Sequence, residues 1–334
     1  MKILVTGCLG FIASHFAARC IGDGHSVVGV ARNTDQKNLA RLSGSPAEWT
    51  SLPLDPTIAK RFRLVYQDLN DTNFCELLED IDIVVNFAAK TFVDYSVRDA
   101  KPFFESNVLG THNLLEAVRK YPRIKQFVQI STDEVYGPLP DNAEEMVHCA
   151  NGWREDAPLN PTNPYSASKA ASDMLCIGYA HTYKIPLLLT RTENNYGYFQ
   201  HPQKVIPNWV KKSLNNEKLP IYGDGRHKRM WLRVEDHVSA ILFLIEKEAR
   251  GIYHIAGGQE MENIDLAKIL LRTLQKPADM IEFIDDSTIR PNHDRRYGLD
   301  TSKIRALGWK PAWDMEAGIA DAVNWYARNR WWIS

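Results

Sequence analysis

The sequence predicts an α/β protein, a doubly wound parallel sheet with a smaller mixed α/β domain. Three observations carry that expectation. Short apolar runs alternate with amphipathic stretches through about the first 190 residues. A glycine turn, Gly7 and Gly10, separates the first apolar run from the first amphipathic stretch. After about Arg191 the alternation gives way to mixed segments and turn clusters such as Tyr222-Gly223-Asp224-Gly225. Runs that are apolar throughout suit strands buried on both faces, and such strands need helices on both sides of the sheet.

Taken in order, Ile3-Leu4-Val5 reads as the first strand and the stretch through Ile21 as the first helix. Val27-Val28-Gly29-Val30, Arg63-Leu64-Val65-Tyr66 and Ile81-Asp82-Ile83-Val84-Val85 read as the next three strands. Asn107 to Tyr121 places Val108, Leu114, Leu115 and Val118 on one side of a helix. Phe127-Val128-Gln129-Ile130 follows as a strand, Tyr165 to Tyr183 as a helix and Leu187-Leu188-Leu189 as a strand. Val234 to Glu246 reads as a helix that returns to the first domain, and Ile252-Tyr253-His254-Ile255 as a strand added to its sheet. The tail carries helices near Ile264–Leu274 and Met315–Asn329. Residues 136–160 are rich in turn formers and acids and suit a long surface loop near a site.

A chain of 334 residues is long enough for two domains and a substantial core. Hydrophobic residues make up 44% and charged residues 24%, both near the globular average. Lys plus Arg is 40 and Asp plus Glu is 41, so the net charge is −1. That balance argues against a polybasic nucleic-acid binder and against an acidic disordered chain. The five cysteines are widely spaced and form no CxxC pair, which fits a reducing compartment and no structural zinc. The opening Met1-Lys2-Ile3-Leu4-Val5-Thr6-Gly7 is too short an apolar run for a signal peptide. No stretch approaches 18 apolar residues, so no membrane span is expected. These features describe a soluble, cytoplasmic protein with no metal site.

Gly7-Cys8-Leu9-Gly10-Phe11-Ile12-Ala13 follows a strand and opens a helix, the context a dinucleotide fingerprint requires. Glycines let the backbone approach a pyrophosphate, and the helix N-terminus supplies N–H groups and a positive dipole end. This makes the first domain Rossmann-type, with Gly7, Gly10, Phe11 and Ile12 as cofactor residues. The spacing is Gly-x-x-Gly-x-x-Ala, and an ordinary strand–helix turn is the plain alternative. An NAD site usually has a carboxylate at the end of the second strand. Here the residues are Ala31-Arg32-Asn33, and Arg32 can pair with a 2′-phosphate, which suggests NADP. Arg32 can equally be a solvated charge. Asp68, beside Leu69 after the third strand, is a candidate for the adenine end.

Asn163-Pro164-Tyr165-Ser166-Ala167-Ser168-Lys169 holds a Tyr-x-x-x-Lys spacing. Asn163 is a good N-cap and Pro164 a good first helical residue, so Tyr165 and Lys169 share one face near a helix start. A phenol ionises near pH ~10, and a neighbouring ammonium favours the phenolate, making Tyr165 a candidate base toward a substrate hydroxyl. Lys169 can also hold a nicotinamide ribose. Ser131-Thr132-Asp133-Glu134 lies at a strand end, where doubly wound sheets bind ligands. Thr132 can bond the same hydroxyl as Tyr165. Asp133 and Glu134 are paired carboxylates of the kind that divide acid and base roles. A polar turn facing water is the alternative.

At these residues the chain resembles the extended short-chain dehydrogenase/reductase superfamily. Within it, the nucleoside-diphosphate-hexose 4,6-dehydratases are the nearest match, above all the dTDP-glucose 4,6-dehydratase branch. The resemblance covers nearly the whole chain. Its carriers are Gly7-x-x-Gly10-Phe11-Ile12, Ala88-Ala89 with Val93-Asp94, and Ser131 to Gly137. They continue with Pro164 to Lys169, Asn194-Asn195-Tyr196-Gly197, Tyr222 to Gly225, Val234 to His237, and Arg290 to Tyr297. Thr132-Asp133-Glu134 is the most specific, because related epimerases and decarboxylases usually lack the Asp-Glu pair.

The resemblance implies a hydro-lyase that keeps NAD(P) tightly bound, with NAD the family default. It implies that Tyr165 takes the proton of a C4 hydroxyl, assisted by Thr132 and Lys169. Glu134 then removes the C5 proton and Asp133 protonates the departing C6 hydroxyl. Ala88 and Ala89 join the cofactor residues. Asn195, Lys204, Tyr222, Arg229, Arg290 (or Arg295), His293 and Tyr297 become candidates for the sugar nucleotide. The implied organisation is a dinucleotide-binding domain of residues 1–190 plus about 227–256, and a sugar-nucleotide-binding domain of 191–226 and 257–334. A homodimer through the Asn107–Tyr121 and Tyr165–Tyr183 helices is implied as well. Three departures stand out: no ribose carboxylate at Ala31, Lys90 in place of the usual acid, and Met230 in place of a frequent aspartate. A sugar-nucleotide epimerase or a different dehydratase, and a non-catalytic dinucleotide-binding protein, remain the competing readings.

Overall fold

Seven strands form the main sheet of the computed structural model, which describes residues 1–32, 36–43, 60–71, 74–140, 151–285 and 294–334. They are β1 (Lys2–Thr6), β2 (Ser26–Ala31), β3 (Phe62–Tyr66), β4 (Ile83–Asn86), β5 (Gln126–Thr132), β6 (Leu187–Thr192) and β10 (Gly251–Ile255), in the order β10-β6-β5-β4-β1-β2-β3. β1 pairs in parallel with β2 on one side and β4 on the other, β2 with β3, and β4 with β5. The strand order reverses at β1, and such switch points are where doubly wound sheets hold ligands. Every residue of β5 and β6 is buried, as strands covered on both faces require.

Helices α1 (Phe11–Gly22), α2 (Gln36–Ser43), α3 (Cys75–Leu78), α4 (Val93–Arg98), α5 (Lys101–Phe103), α6 (Gly110–Val118) and α7 (Pro164–Tyr183) alternate with these strands. Leu4, Val28, Val84 and Phe127 from the sheet pack with Leu77, Leu114, Leu115, Val118 and Cys176 from the helices in one core.

The expected helix at Asn107–Tyr121 begins earlier and is not uniform. Phe104–Leu109 is π-helical, between α5 and α6. Polar bonds anchor Asn107 within this segment. The Thr111 hydroxyl takes the Asn107 carbonyl at 2.7 Å, and the Asn107 side chain bonds both the N–H and the carbonyl of Lys90. π-bulges of this kind concentrate at functional sites. Gly110 begins α6, and a Cβ there would meet the Leu69 side chain at 2.9 Å.

The remaining elements are β7 (Asn194–Tyr196), α8 (Val205–Leu214), β8 (Leu219–Tyr222), β9 (Lys228–Arg233), α9 (Val234–Glu246), β11 (Glu260–Glu262), α10 (Asn263–Thr273), β12 (Ile281–Ile284), α11 (Ser302–Ala306), α12 (Met315–Arg328) and α13 (Arg330–Ile333). β9 is antiparallel to β11 and parallel to β7, and β12 is parallel to β8. Two compact units result. The first contains Met1–Val135, Leu159–Arg191 and Ile241–Tyr253, and the second Tyr136–Pro158, Thr192–Ala240 and His254–Ser334. Among the described residues no helix is long and apolar enough to cross a membrane.

Candidate active site

The glycine turn is built as its sequence requires. Gly7 has φ +63°, and a Cβ there would meet the Ala88 Cα at 2.9 Å. Only glycine fits that backbone and that approach. Gly10 N–H bonds the Gly7 carbonyl at 2.7 Å, and Gly10 caps α1 without a side chain. Thr6 Oγ1 donates to Asn86 Oδ1 at 2.6 Å and accepts the Ala88 N–H at 3.2 Å, locking the ends of β1 and β4 together. Arg41 of α2 donates to the Leu9 carbonyl at 2.6 Å. The result is a side-chain-free cradle at a helix N-terminus, which fits a dinucleotide pyrophosphate. Arg32 Nη1 lies 3.7 Å from Asp68 Oδ2, with both side chains partly exposed. Leu69 is buried, and its carbonyl accepts from Asn113 at 3.0 Å.

The catalytic candidates are arranged by α7 and the end of β5. Asn163 caps α7 in a capping box with Ser166, and Pro164 is its first residue. Such caps hold a helix start to the order of 1 kcal/mol. The same Asn163 reaches out with Nδ2 to Glu134 Oε2 at 3.3 Å. One asparagine therefore fixes the helix start and aims the glutamate. Tyr165 is buried, its N–H bonds Ser96 Oγ at 3.1 Å, and its ring meets Phe103 edge-on at 6.4 Å. Thr132 Oγ1 donates to Asp133 Oδ1 at 3.0 Å, and both residues are buried.

Burial pushes the Tyr165 phenol well above its ordinary range, and the charge of Glu134 pushes it further. The Thr132 hydroxyl draws it down, while Asp133 adds to the rise. Glu134 is tied to Asn163, two residues ahead of Tyr165, and Asp133 to Thr132. Lys169 Nζ donates to the Ile130 carbonyl at 2.7 Å. Burial lowers its affinity for a proton, and Asp173 opposes that. Asn107 Nδ2 donates to Ser168 Oγ at 2.9 Å, tying the π-helical segment to the residue beside Lys169.

The second unit holds the expected sugar-nucleotide residues that can be described. Arg229 on β9 is buried, donates to the carbonyls of Lys228, Arg295 and Asp294 at 2.7, 3.3 and 2.8 Å, and stacks over Tyr297 at 4.6 Å. Tyr297 in turn donates to the Asp294 carboxylate. Arg295 grips Asp224 with two bonds of 2.9 and 2.8 Å and holds its carboxyl down at about 2. Asn195 turns its amide inward. Its Nδ2 donates to the Glu193 carbonyl at 2.9 Å, and its Oδ1 accepts from His237 Nδ1 at 2.9 Å. Burial lowers His237 to about 3, which favours the neutral imidazole. Lys204 immediately precedes α8 and Tyr222 ends β8. Arg290 and His293 lie outside the described residues.

Several structural partners escaped the reading of the sequence. Asp173 and Arg191 form a buried ion pair at 3.0 Å. The signal was present, because Asp173 stands four residues beyond Lys169 on the same helix face. Ser96 and Asn107 carry no comparable spacing signal.

Comparison with known proteins gives a consistent result. The family model described as GDP-mannose 4,6 dehydratase matches residues 4–322. A dTDP-glucose 4,6-dehydratase of Actinoplanes is 42% identical over 337 residues, 99% of this chain and 100% of that one. The crystal structure of DesIV, a dTDP-glucose 4,6-dehydratase from Streptomyces venezuelae with NAD and TYD bound, superposes with TM-score 0.86 at 37% identity, over 99% of this chain and 98% of that one. A UDP-glucuronic acid 4-epimerase from Bacillus cereus, in complex with UDP-glucuronic acid and NAD, matches with TM-score 0.86 at 26% identity, over 98% of this chain and 100% of that one.

Proposed function

The chain belongs to the GDP-mannose 4,6-dehydratase family, and from that premise we propose that it is a nucleoside-diphosphate-hexose 4,6-dehydratase taking a dTDP-glucose-like substrate. The product is a 4-keto-6-deoxyhexose nucleotide. The observation that carries this reading is the carboxylate pair Asp133 and Glu134 at the end of β5, with Glu134 bonded at 3.3 Å to Asn163, the cap of the helix that carries Tyr165. An epimerase needs a base for a sugar hydroxyl, but it needs no second pair of carboxylates to expel water. The paired acids therefore favour dehydration over the epimerase chemistry of the Bacillus cereus relative.

The dinucleotide is held by the turn of Gly7, Gly10, Phe11 and Ile12, with Ala88, Ala89, Asp68 and Leu69 beside it. When bound, it supplies a hydride acceptor for C4 and, once reduced, a hydride donor for C6. Tyr165 takes the C4 hydroxyl proton, Thr132 steadies that oxygen, and Lys169 favours the charged phenolate. The resulting ketone acidifies the C5 proton, which Glu134 removes. Asp133 protonates the C6 hydroxyl, which leaves as water, and C5 takes a proton back as C6 gains its hydride, which completes the 4-keto-6-deoxyhexose. Arg229, Tyr297, Tyr222, Lys204 and Asn195 are the proposed contacts of the second unit to the sugar nucleotide, together with Arg290 and His293.

NAD is the favoured cofactor. A 2′-phosphate reaching Arg32 would also meet the Asp68 carboxylate 3.7 Å from that guanidinium. This outweighs the NADP preference suggested by Ala31-Arg32, and the NAD bound in DesIV supports the same choice.

A panel of sugar nucleotides labelled with deuterium at C4 tests the function. The expected result is migration of label to the C6 methyl in at least one product, and release of NAD on denaturation. Absence of migration from every hexose donor would overturn the dehydratase, and NADP alone in the released material would overturn the cofactor choice.

We further propose a homodimer packed through α6 and α7. Leu109, Met174 and Tyr183, on or beside these helices, are 48%, 48% and 49% exposed, apolar surface that a second copy would cover. Sedimentation is expected to give twice the chain mass, and a monomer at micromolar concentration would contradict it. The thiols of Cys8, Cys20 and Cys176 are buried and unpaired, and burial pushes Cys8 and Cys20 up to about 12. Inert reduced thiols suit a cytoplasmic enzyme, and recovery in a secreted fraction would contradict that placement.

A further inference from the structure

Beneath the catalytic helix face lies a charged group that the reaction as described does not use. Tyr165, Lys169 and Asp173 stand at four-residue intervals on α7, so they form one stripe on its buried side. Asp173 is 0% exposed and Lys169 is 4% exposed. Arg191, at the C-terminal end of β6, is 1% exposed and places Nε 3.0 Å from Asp173 Oδ2. The second carboxylate oxygen of Asp173 accepts no hydrogen bond. Ser131 Oγ, also buried, acts on the same carboxyl without meeting hydrogen-bond geometry. Burying three ionisable groups is expensive, and a pair of this kind contributes little to stability compared with apolar residues of the same shape. Its retention calls for another reason.

We propose that Asp173 and Arg191 are positioning residues for Lys169: Asp173, held by Arg191, supplies from one turn further along the same helix face the negative charge that keeps the lysine protonated and bonded to the Ile130 carbonyl. The inference deepens the dehydratase reading above and rests on it for the role of Lys169. The physics has two steps. A buried ammonium tends to release its proton, and Asp173 one turn away opposes that release. A buried carboxylate tends to take up a proton, and Arg191 first, then Lys169, oppose that uptake. Arg191 thus keeps Asp173 ionised, and Asp173 keeps Lys169 ionised. Other titratable groups near this stripe, among the described residues, include Cys176 on α7 itself and, beyond β5, Asp133 and Glu134, which act on Tyr165. From the π-helical segment the neutral Asn107 donates to Ser168 on α7. From α6, Glu116 and His112 meet Tyr179 at the far end.

The test is Asp173→Asn, compared with Asp173→Glu and with the double variant Asp173→Asn/Arg191→Gln. The double variant leaves no lone buried guanidinium and keeps the experiment decisive if the single one fails to fold. Two readouts are taken on folded protein: steady-state kinetics across pH, and NMR titration of lysines labelled at Cε, with Lys169 assigned through Lys169→Met. Expected for Asp173→Asn, or for the double variant, is a fall in kcat of about 10²-fold with KM nearly unchanged. The alkaline limb of the pH profile moves to lower pH, and the Lys169 signal titrates at lower pH than in wild type. Asp173→Glu restores a large part of kcat. A folded variant with kcat within twofold of wild type, or an unmoved Lys169 titration, overturns the proposal. If wild type makes no keto product from any sugar nucleotide, the dehydratase reading fails, and the Lys169 titration still decides this inference.

Discussion

Tyr165→Phe is expected to abolish turnover, by about 10³-fold or more, and to leave no reduced cofactor in the presence of substrate. The change removes one oxygen and little else. The α7 cap is made by Asn163 and Ser166, the N–H at position 165 still bonds Ser96, and the ring still meets Phe103. Thr132 keeps its bond to Asp133. Thermal stability should therefore stay near that of wild type, which separates lost chemistry from lost fold. Near-normal turnover in the Tyr165→Phe variant would remove Tyr165 from the mechanism.

Glu134→Gln is expected to divide the reaction at its midpoint. Exchange of the C5 proton with solvent deuterium should fall by about 10²-fold to 10³-fold, while oxidation at C4 persists. Geometry favours a clean result, because the glutamine keeps a carbonyl oxygen for Asn163 Nδ2. The variant also has a signed pH effect. In wild type the Glu134 charge raises the Tyr165 phenol, second only to burial. Removing that charge makes the phenolate easier to form. The limb of the C4-oxidation profile that reports Tyr165 ionisation should then move to lower pH. Exchange at the wild-type rate would refute the assignment of Glu134 as the C5 base.

How much of this was legible in the sequence depended on whether a feature is local. Apolar runs at Ile3–Val5 and Leu187–Leu189 mark β1 and β6, because a strand buried on both faces has few alternatives. Val234–Glu246 forms a helix with the expected ends. Asn163, Pro164 and the Tyr165–Lys169 spacing specify the start of α7, and its cap forms as those residues dictate. What the sequence hides is tertiary. Within the π-helical segment Asn107 reaches Lys90, seventeen residues earlier, and Ser168, sixty-one residues later. No periodicity announces bonds of that kind. Arg32 illustrates the same limit, since its neighbour Asp68 arrives from a different strand. Asn195 illustrates it again. Its side chain is engaged by His237, a residue that the chain pattern alone does not place beside it.

The edge strand β10 has a consequence for how the protein is made. Residues 251–255 lie beside β6 at the margin of the seven-stranded sheet, and the Gln126 amide of β5 donates to the Ala249 carbonyl just ahead of them. A ribosome releases β1 through β6 long before that segment emerges. During the interval β6 is an open margin with unmatched peptide groups, a template for wrong pairing with another nascent chain. Sheet completion thus waits on a late stretch of polypeptide, and the vulnerable period in biosynthesis is set by the time needed to translate the residues between Thr192 and Gly251.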